Sequence, residues 1–434
     1  MIRPIRFCML TTFYPPWNFG GDGIQVARLA HALADRGHRV TVACSPKVHR
    51  VLSRQRPAPP HDRPGVELVP IADGLASLVG EYLSGRPLGA RRQLEQLLGR
   101  GFDVLHFHNP SLLGAPALLA MGDGLRLYTA HEQWLLCPSH VLWKRNGRVC
   151  EDPPCWSCEI THLRPPQPWR WSSLLERSVR HLDALIFPSR ASARLHERFT
   201  SHVRAEVINH FVPEPRPASG GRQAAEPGVP PQPFFLYAGR LEPIKGVGAL
   251  IEAFRERTEG LVIAGDGSLR RRLHWAARHL PNVHFTGWLP PDRLDGLYRD
   301  ALAVVVPTRG HEAFGLVAVE ALARGTPTVL HRFGALGELL DGTGAGLGYG
   351  TPEELAAALD RIAGDEQLRT QLGRRGRAAF VERYSTQHHL RHYLSLIADL
   401  ARGRGDAELA AAAVAAAEAV AEEPVPTPDA EVIR

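Results

Sequence analysis

The first half of the chain alternates short β-branched runs with stretches whose apolar residues recur at helical spacing. Residues 5–10 read as a strand, and 24–36 as a helix with Val26, Leu29, Ala30 and Leu33 on one face. Gly37 stops that helix, and 39–44 is the next strand. Further strands are expected at 104–107, 126–129 and 184–188, with helices near 111–121 and 171–181. The stretch 213–233 is rich in Pro, Gly and Ala, has no periodicity and reads as a linker. A second alternation follows, with strands at 234–237, 261–264, 283–285, 303–306 and 328–330. The pattern predicts an α/β protein with two doubly wound parallel sheets in series. Such sheets bind ligands at the C-terminal ends of their strands, so the expected site is a cleft between the two domains.

The boundaries follow from the same pattern: a first domain at 1–212 with a Cys-, Trp- and Pro-rich insertion at 132–168, the linker, and a second domain at 234–385. A helix at 386–402 is expected to pack back, followed by a tail at 403–434 with no catalytic part. Within the tail, 408–423 is alanine-rich enough to be helical alone, and 424–434 reads as disordered.

Composition narrows the class. A chain of 434 residues with 44% hydrophobic and 22% charged residues is that of a soluble globular protein of more than one domain. No unbroken run of about 18 apolar residues reads as a spanning helix. The first ten residues carry two arginines and a short apolar run, which suits a first strand better than a signal peptide, and a cytoplasmic protein is expected. The net charge of +6 fits an anionic ligand, or peripheral contact with the inner face of an anionic membrane. Arg270, Arg271 and Arg272 form the longest basic run, and no aromatic-interleaved basic stripe marks a nucleic-acid binder.

Only three of the 51 basic residues are lysines: Lys47, Lys144 and Lys245. Lys245 stands in Ala238-Gly239-Arg240-Leu241-Glu242-Pro243-Ile244-Lys245-Gly246, just past a strand and before a helix expected near Gly246. Glycine there lets backbone approach a ligand, a helix start offers N–H groups, and Arg240 with Lys245 supplies two cations for a diphosphate. The bland alternative is a solvated loop. A second turn, Ala264-Gly265-Asp266-Gly267-Ser268, is weaker, since a helix cap explains it equally well. The segment from Pro307 to Ala321 pairs Glu312 with Glu320, eight positions on and inside an apolar helix pattern, about 12 Å apart if helical. That spacing suits one carboxylate on a sugar and one on a ribose, with the N–H groups of Phe314, Gly315 and Leu316 facing phosphates between them. A capping glutamate and a solvated one are the alternative.

These residues carry a resemblance. The Gly239-Arg240…Lys245-Gly246 loop, the Glu312-x7-Glu320 block and Ala323-Arg324-Gly325-Thr326-Pro327-Thr328-Val329 resemble glycosyltransferase family 4, a retaining group. The likeness in element order runs from Arg6 to about Ala401 and is sharpest over 234–338; Gly334-Ala335-Leu336-Gly337-Glu338 departs from the usual paired-glycine form. The resemblance implies the GT-B fold of two Rossmann-like domains, and a nucleotide-sugar donor, UDP- or GDP-linked, held by the second domain. It implies that Arg240 and Lys245 grip the diphosphate, Glu312 contacts the transferred sugar and Glu320 the ribose. Gly20 and Gly21, in Pro15-Pro16-Trp17-Asn18-Phe19-Gly20-Gly21-Asp22-Gly23, resemble the family's loop beneath the phosphates, although a plain tight turn also suits them. His131, at the end of a strand, resembles the family's histidine beside the anomeric carbon. His106 and His108 face one side of the sheet, as either a buried, hydrogen-bonded pair or a substrate contact.

No Asp-x-Asp pair occurs, so no catalytic metal is expected, and Arg240, Lys245 and helix N-termini would neutralise the leaving group. Four of the six cysteines, Cys137, Cys150, Cys155 and Cys158, fall in the insertion, and their spacing suits a structural Zn²⁺ site, with an iron–sulfur centre or unliganded thiols as alternatives. The expectation is a retaining, metal-independent hexosyltransferase acting on a saccharide or lipid-linked acceptor in glycan or polysaccharide biosynthesis. The rivals are a nucleotide-sugar-binding protein without transfer activity, and a phosphorylase or epimerase of the same fold.

Overall fold

The computed structural model describes residues 3–52, 63–71, 74–144, 146–151, 155–161, 164–215 and 233–424 of the chain. The chain divides into two compact units: Met1–Arg145, Glu151–His210 and His389–Glu423 form the first, and Asn146–Cys150, Phe211–His388 and Pro424–Arg434 the second. Most of the expected linker 213–233 and nearly all of the expected disordered end 424–434 lie outside the described residues.

The first unit is built on a seven-stranded parallel sheet: β1 (Arg6–Thr11), β2 (Arg39–Cys44), β3 (Val66–Pro70), β4 (Val104–Asn109), β5 (Leu125–Thr129), β6 (Ala184–Phe187) and β7 (Arg204–Val207). Their spatial order is 3-2-1-4-5-6-7. The second unit holds six parallel strands: β8 (Phe234–Ala238), β9 (Gly260–Ala264), β10 (Val283–Gly287), β11 (Val304–Val306), β12 (Thr328–His331) and β13 (Gly346–Tyr349), in the order 10-9-8-11-12-13. Each sheet reverses its winding once, between β1 and β4 and between β8 and β11. Such a reversal, at the carboxyl ends of the strands, is where doubly wound sheets bind their ligands. The observed strands explain the apolar runs. In the second unit Leu236, Val262, Val304 and Leu330 enter one core, and their neighbours Phe235, Ile263, Val305 and Val329 enter a second. Successive side chains alternate between faces, and both faces are covered, so no polar position interrupts the run.

Several expectations are revised. The segment 111–121 is not an α-helix: it makes turns and a short 3₁₀ segment, Ala117–Ala120. Pro110 and Pro116 restrict it, and Gly114 takes φ +83° where a Cβ would lie 2.4 Å from Pro87 Cβ. The helix expected at 171–181 is confined to Leu174–Val179. Strands β3, β7 and β13 were not expected. The alanine-rich Ala407–Glu422 is helical but does not stand alone. It buries Leu409, Ala413 and Val420, Asp406 caps Leu409 N–H at 2.9 Å, and Arg36 meets Glu423 through two hydrogen bonds of 2.7 and 2.6 Å. Among the described residues no helix is long and apolar enough to cross a membrane.

Candidate functional site

In the second unit the loops after β8 and β11 are joined at the point where the sheet reverses. Gly239 takes φ +146° and Gly265 φ +155°, and a Cβ on Gly265 would lie 1.9 Å from the Gly239 carbonyl oxygen. The loop continues through a 3₁₀ turn, Pro243–Lys245, to Gly246, which caps helix Val247–Ala253 in the left-handed region. A Cβ on Gly246 would meet Pro307 O at 2.1 Å, and Arg309 N–H donates to Ile244 O at 2.8 Å. This close approach brings Lys245 against the segment that carries Glu312.

Lys245 Nζ donates to Glu312 Oε1, and both side chains are about one-fifth exposed. Thr308 Oγ1, itself buried, donates to the same carboxylate oxygen at 2.8 Å. Burial alone would raise the Glu312 carboxyl. The charge and hydrogen bond of Lys245, the Thr308 hydroxyl and the charge of Arg240 outweigh it and hold Glu312 below the usual carboxylate range. Arg240 is exposed, and its carbonyl accepts from the Tyr237 hydroxyl at 2.7 Å. The structure thus brings Arg240, Lys245 and Glu312 together from two loops far apart in sequence. Thr308 is a fourth member that the sequence did not single out, although its place directly past β11 is where such a group is expected.

The neighbouring elements frame that cluster. Phe314 is buried against Tyr384 with ring centroids 5.7 Å apart. Gly315 takes φ +115° as the cap of helix Leu316–Ala323, where a Cβ would lie 2.8 Å from Leu336 Cδ2. Glu320 stands in the second turn of that helix, and one carboxylate oxygen accepts from the Tyr298 hydroxyl at 2.9 Å. It is therefore oriented by a phenol rather than solvated, and no hydrogen bond or ion pair described here joins it to Lys245. The Gly265 turn is laced to the first loop, with Leu241 N–H donating to Asp266 O at 2.9 Å and Ser268 Oγ to Glu242 at 2.6 Å.

In the first unit the corresponding reversal lies between β1 and β4. Gly20 is extended, a conformation open to any residue, and Gly21 opens helix Gly21–Ala34. The crowded glycine of this loop is Gly23, whose Cβ would lie 2.9 Å from Asn18 Cβ. Asn109, at the end of β4, donates to Asp22 at 3.1 Å and to Glu132 at 2.9 Å, and Glu132 also meets His140 at 2.6 Å. These polar links were not anticipated.

His131 belongs to a histidine cluster. Its Nε2 is hydrogen-bonded to His108 Nδ1 at 2.9 Å, and its Nδ1 to His210 Nε2 at 3.1 Å. His106 lies over His108 with ring centroids 3.9 Å apart, and its two nitrogens meet Tyr393 Oη and Thr129 Oγ1 at 2.9 and 2.8 Å. His389 Nδ1 donates to Asn209 O at 2.7 Å. Burial lowers His131 to about 4, against an opposing pull from Asp22, and drives His106, His108 and His210 well below the ordinary imidazole value. The cavity among these rings is about 10 Å³, room for one water and not for a sugar. His106 and His108 are thus a buried pair behind His131, the bland alternative. No pattern in the sequence could have added His210 and His389, which arrive from remote segments.

The cysteine expectation is corrected. Among the described residues, which include all four cysteines, no group of three or more His, Cys, Asp or Glu side chains is arranged to hold a metal ion. Cys137 is buried with its Sγ 3.1 Å from Ser139 Oγ, and Cys155 opens helix Cys155–Thr161, which also carries Cys158. The side chains do not fit a Cys₄ zinc site, because C-x₂-C spacing supplies at most two ligands unless the fold gathers the others. Cys8 and Cys44 are strand residues of the core, as expected, and burial pushes both thiols up to about 12.

Comparison with known proteins gives the family and the fold. Residues 19–216 match the family described as Glycosyltransferase Family 4, and residues 223–379 match Glycosyl transferases group 1. D-inositol 3-phosphate glycosyltransferase of Corynebacterium jeikeium is 35% identical over 38% of this chain and 43% of its own length. The lipopolysaccharide core biosynthesis glycosyltransferase LpsE of Rhizobium meliloti is 35% identical over 38% of this chain and 50% of its own. The chain spans about half the length of the curated relatives it matches. Among solved structures, sucrose-phosphate synthase of Thermosynechococcus elongatus superposes with TM-score 0.68 and 20% identity over 92% of this chain and 100% of that one. Anabaena Alr3699/HepE, solved in complex with UDP, gives 0.64 and 18% over 91% and 100%.

Proposed function

The chain belongs to glycosyltransferase family 4 and has the α/β GT-B fold, and from that premise we propose that it transfers a hexosyl group from a nucleoside-diphosphate sugar, with retention and without a catalytic metal, to a saccharide or lipid-linked acceptor. The observation that carries the reading is the junction of Lys245, Glu312 and Thr308 at the reversal between β8 and β11. Ligands of doubly wound sheets bind at this point.

Arg240 and Lys245 take the diphosphate, Arg240 as a planar fork and Lys245 as a point charge near the leaving oxygen. Glu312, ionised and fixed by Lys245 and Thr308, accepts hydrogen bonds from sugar hydroxyls, and Glu320 accepts from the ribose. His131, whose two ring nitrogens are hydrogen-bonded to His108 and His210, borders the reacting carbon through the edge of its neutral ring or through its own carbonyl. The acceptor oxygen bonds to the anomeric carbon on the face the diphosphate leaves. The carbon–oxygen bond to phosphate breaks, and the acceptor proton passes to the departing phosphate oxygen. Lys245 and Arg240 stabilise the negative charge that builds there, and because their loops are already in place little reorganisation is needed.

A thermal-shift panel of UDP-, GDP- and ADP-sugars tests the reading. One nucleotide class is expected to stabilise the protein, by about 2.7 kcal/mol at a hundredfold excess over Kd. Product formation should then persist in excess EDTA, and nuclear magnetic resonance should show an unchanged anomeric configuration. Stabilisation by none of the donors would remove the proposal; stabilisation without transfer to any acceptor would leave a binding protein.

A further inference from the structure

The first unit has a recess at the end of its sheet opposite to Asn109 and His131. The amino ends of β1, β2 and β3, with the turn that leads into β4, enclose a cavity of about 370 Å³. That volume is within the range of small-molecule sites. Val40, Val66 and Phe102 are its apolar lining, and three arginines, Arg6, Arg39 and Arg100, line it with one acid, Glu67.

The cations of this recess are not all paired. Glu67 is taken up by Arg100, through hydrogen bonds of 3.0 and 2.6 Å, and by Thr41 Oγ1, which donates to it at 3.0 Å. Arg3, at the same end of the sheet, has Asp103 and Glu408, and Arg63 has Asp35. Asp103 meets Arg6 through the backbone N–H alone, at 2.7 Å. The Arg6 guanidinium donates to Arg100 O at 2.8 Å and lies 5.6 Å from the centroid of the Phe102 ring. Neither Arg6 nor Arg39 has a carboxylate partner among the described residues. Yet the two are register partners on adjacent parallel strands. Their side chains therefore leave the same face from backbones about 4.8 Å apart. Like charges set side by side in this way repel, and an anion between them removes the cost.

A phosphate group meets that demand, because guanidinium forks match its oxygens and a doubly charged ester offsets both cations. The cavity has room beyond a phosphate ion, since one water takes about 30 Å³ of liquid. Beside that room Val40, Val66 and Phe102 offer apolar contact, and the half-exposed carboxylate of Glu67 can accept from hydroxyl groups. We propose that this cavity binds the phosphate monoester of a sugar or similar small polyol, with the phosphate between Arg6 and Arg39 and the hydroxylated body beside Glu67 and Phe102. The site is separate from the proposed transfer chemistry and does not rest on it.

Calorimetry of the full chain with ribose 5-phosphate, inorganic phosphate and ribose tests it. The ester is expected to bind about tenfold or more tightly than inorganic phosphate, and ribose not to bind. Arg39→Gln should weaken the ester about tenfold or more, and Arg39→Glu should abolish its binding. Lys245→Ala is the control, since the cations of the second unit also attract phosphates, and it should change nothing. Without ligand, Arg39→Gln should melt no lower than the parent chain, because the change removes a repulsion. Absence of ester binding, inorganic phosphate binding as tightly as the ester, an ester affinity untouched by Arg39→Gln, or its loss in Lys245→Ala overturns the proposal. So does a lower melting temperature for ligand-free Arg39→Gln, which would reveal a partner for Arg39 within the protein. Stabilisation of each Arg39 variant by the nucleotide-sugar shows that it is folded. It also keeps the outcomes separate: a chain stabilised by donor that never takes the ester loses this cavity site and keeps the transferase reading.

Discussion

Lys245 and Glu312 neutralise each other in the absence of donor, and the same pairing makes them suitable for it. An ion pair of this kind holds the carboxylate in one orientation and the ammonium within reach of a neighbouring phosphate. Neither group has to be gathered when the transition state forms. The two should therefore fail differently. Lys245→Ala is expected to weaken nucleoside-diphosphate affinity about tenfold or more, read by calorimetry. Glu312→Gln should keep that affinity and lower kcat/KM by about a hundredfold or more, since a neutral amide accepts more weakly from the sugar hydroxyls and cannot balance the lysine. Equal loss of affinity in both variants would assign Glu312 to the diphosphate instead. Lys245→Arg tests the compositional signal: in a chain with three lysines among 51 basic residues, a position indifferent to the kind of cation would tolerate arginine. A measurable loss is expected, because a planar fork does not fit where a single Nζ meets one carboxylate oxygen.

At the scale of elements the site depends on backbone that can pass where a side chain cannot. Gly246 and Gly37 have similar φ, +71° and +82°, and different surroundings: a Cβ on Gly246 would lie 2.1 Å from Pro307 O, whereas nothing lies within 4 Å of one on Gly37. Gly37→Ala is expected to cost about 1 kcal/mol, the left-handed penalty alone. Gly246→Ala should cost about 3 kcal/mol or push the loop off Pro307, and should lose donor stabilisation in the same thermal-shift assay. The same packing decides how much was legible beforehand. Strand Arg39–Cys44 and the runs at β8, β9 and β11 showed plainly because sheets covered on both faces demand unbroken apolar residues. Strand β3, with the partly exposed sequence Val-Glu-Leu-Val-Pro, and β13, with two glycines in four residues, lie at sheet edges and carry no such run. The candidate site was legible where its members stand in a local pattern, as at Gly239-Arg240 and Glu312. Asp22, Asn109 and Glu132, by contrast, are joined only because a helix start and the ends of two strands meet in space. The paired cysteines of the insertion misled for the converse reason: a local pattern suited a metal, and the fold did not complete it.

For the whole molecule, the first unit's histidine cluster gives stability a direction in pH. His106, His108, His131 and His210 are held neutral mainly by burial, and their pKa values lie below the unfolded value near 6.5, His131 at about 4. A depressed folded pKa means that the unfolded chain binds more protons between the two values. The stabilisation is then complete above the unfolded pKa and drains away as pH falls toward the folded one. Each such histidine contributes a slope of up to about 1.4 kcal/mol per pH unit in that window. Denaturant midpoints followed by the fluorescence of Trp134, which is 1% exposed within the first unit, should therefore fall steeply between about pH 7 and about pH 5. His108→Asn removes one of these protons and should make the descent shallower by about one proton's worth, even though the variant is less stable at neutral pH. A midpoint that stays level across this range, or a slope untouched by His108→Asn, would mean that the four rings titrate freely and that His131 is not kept neutral by its surroundings.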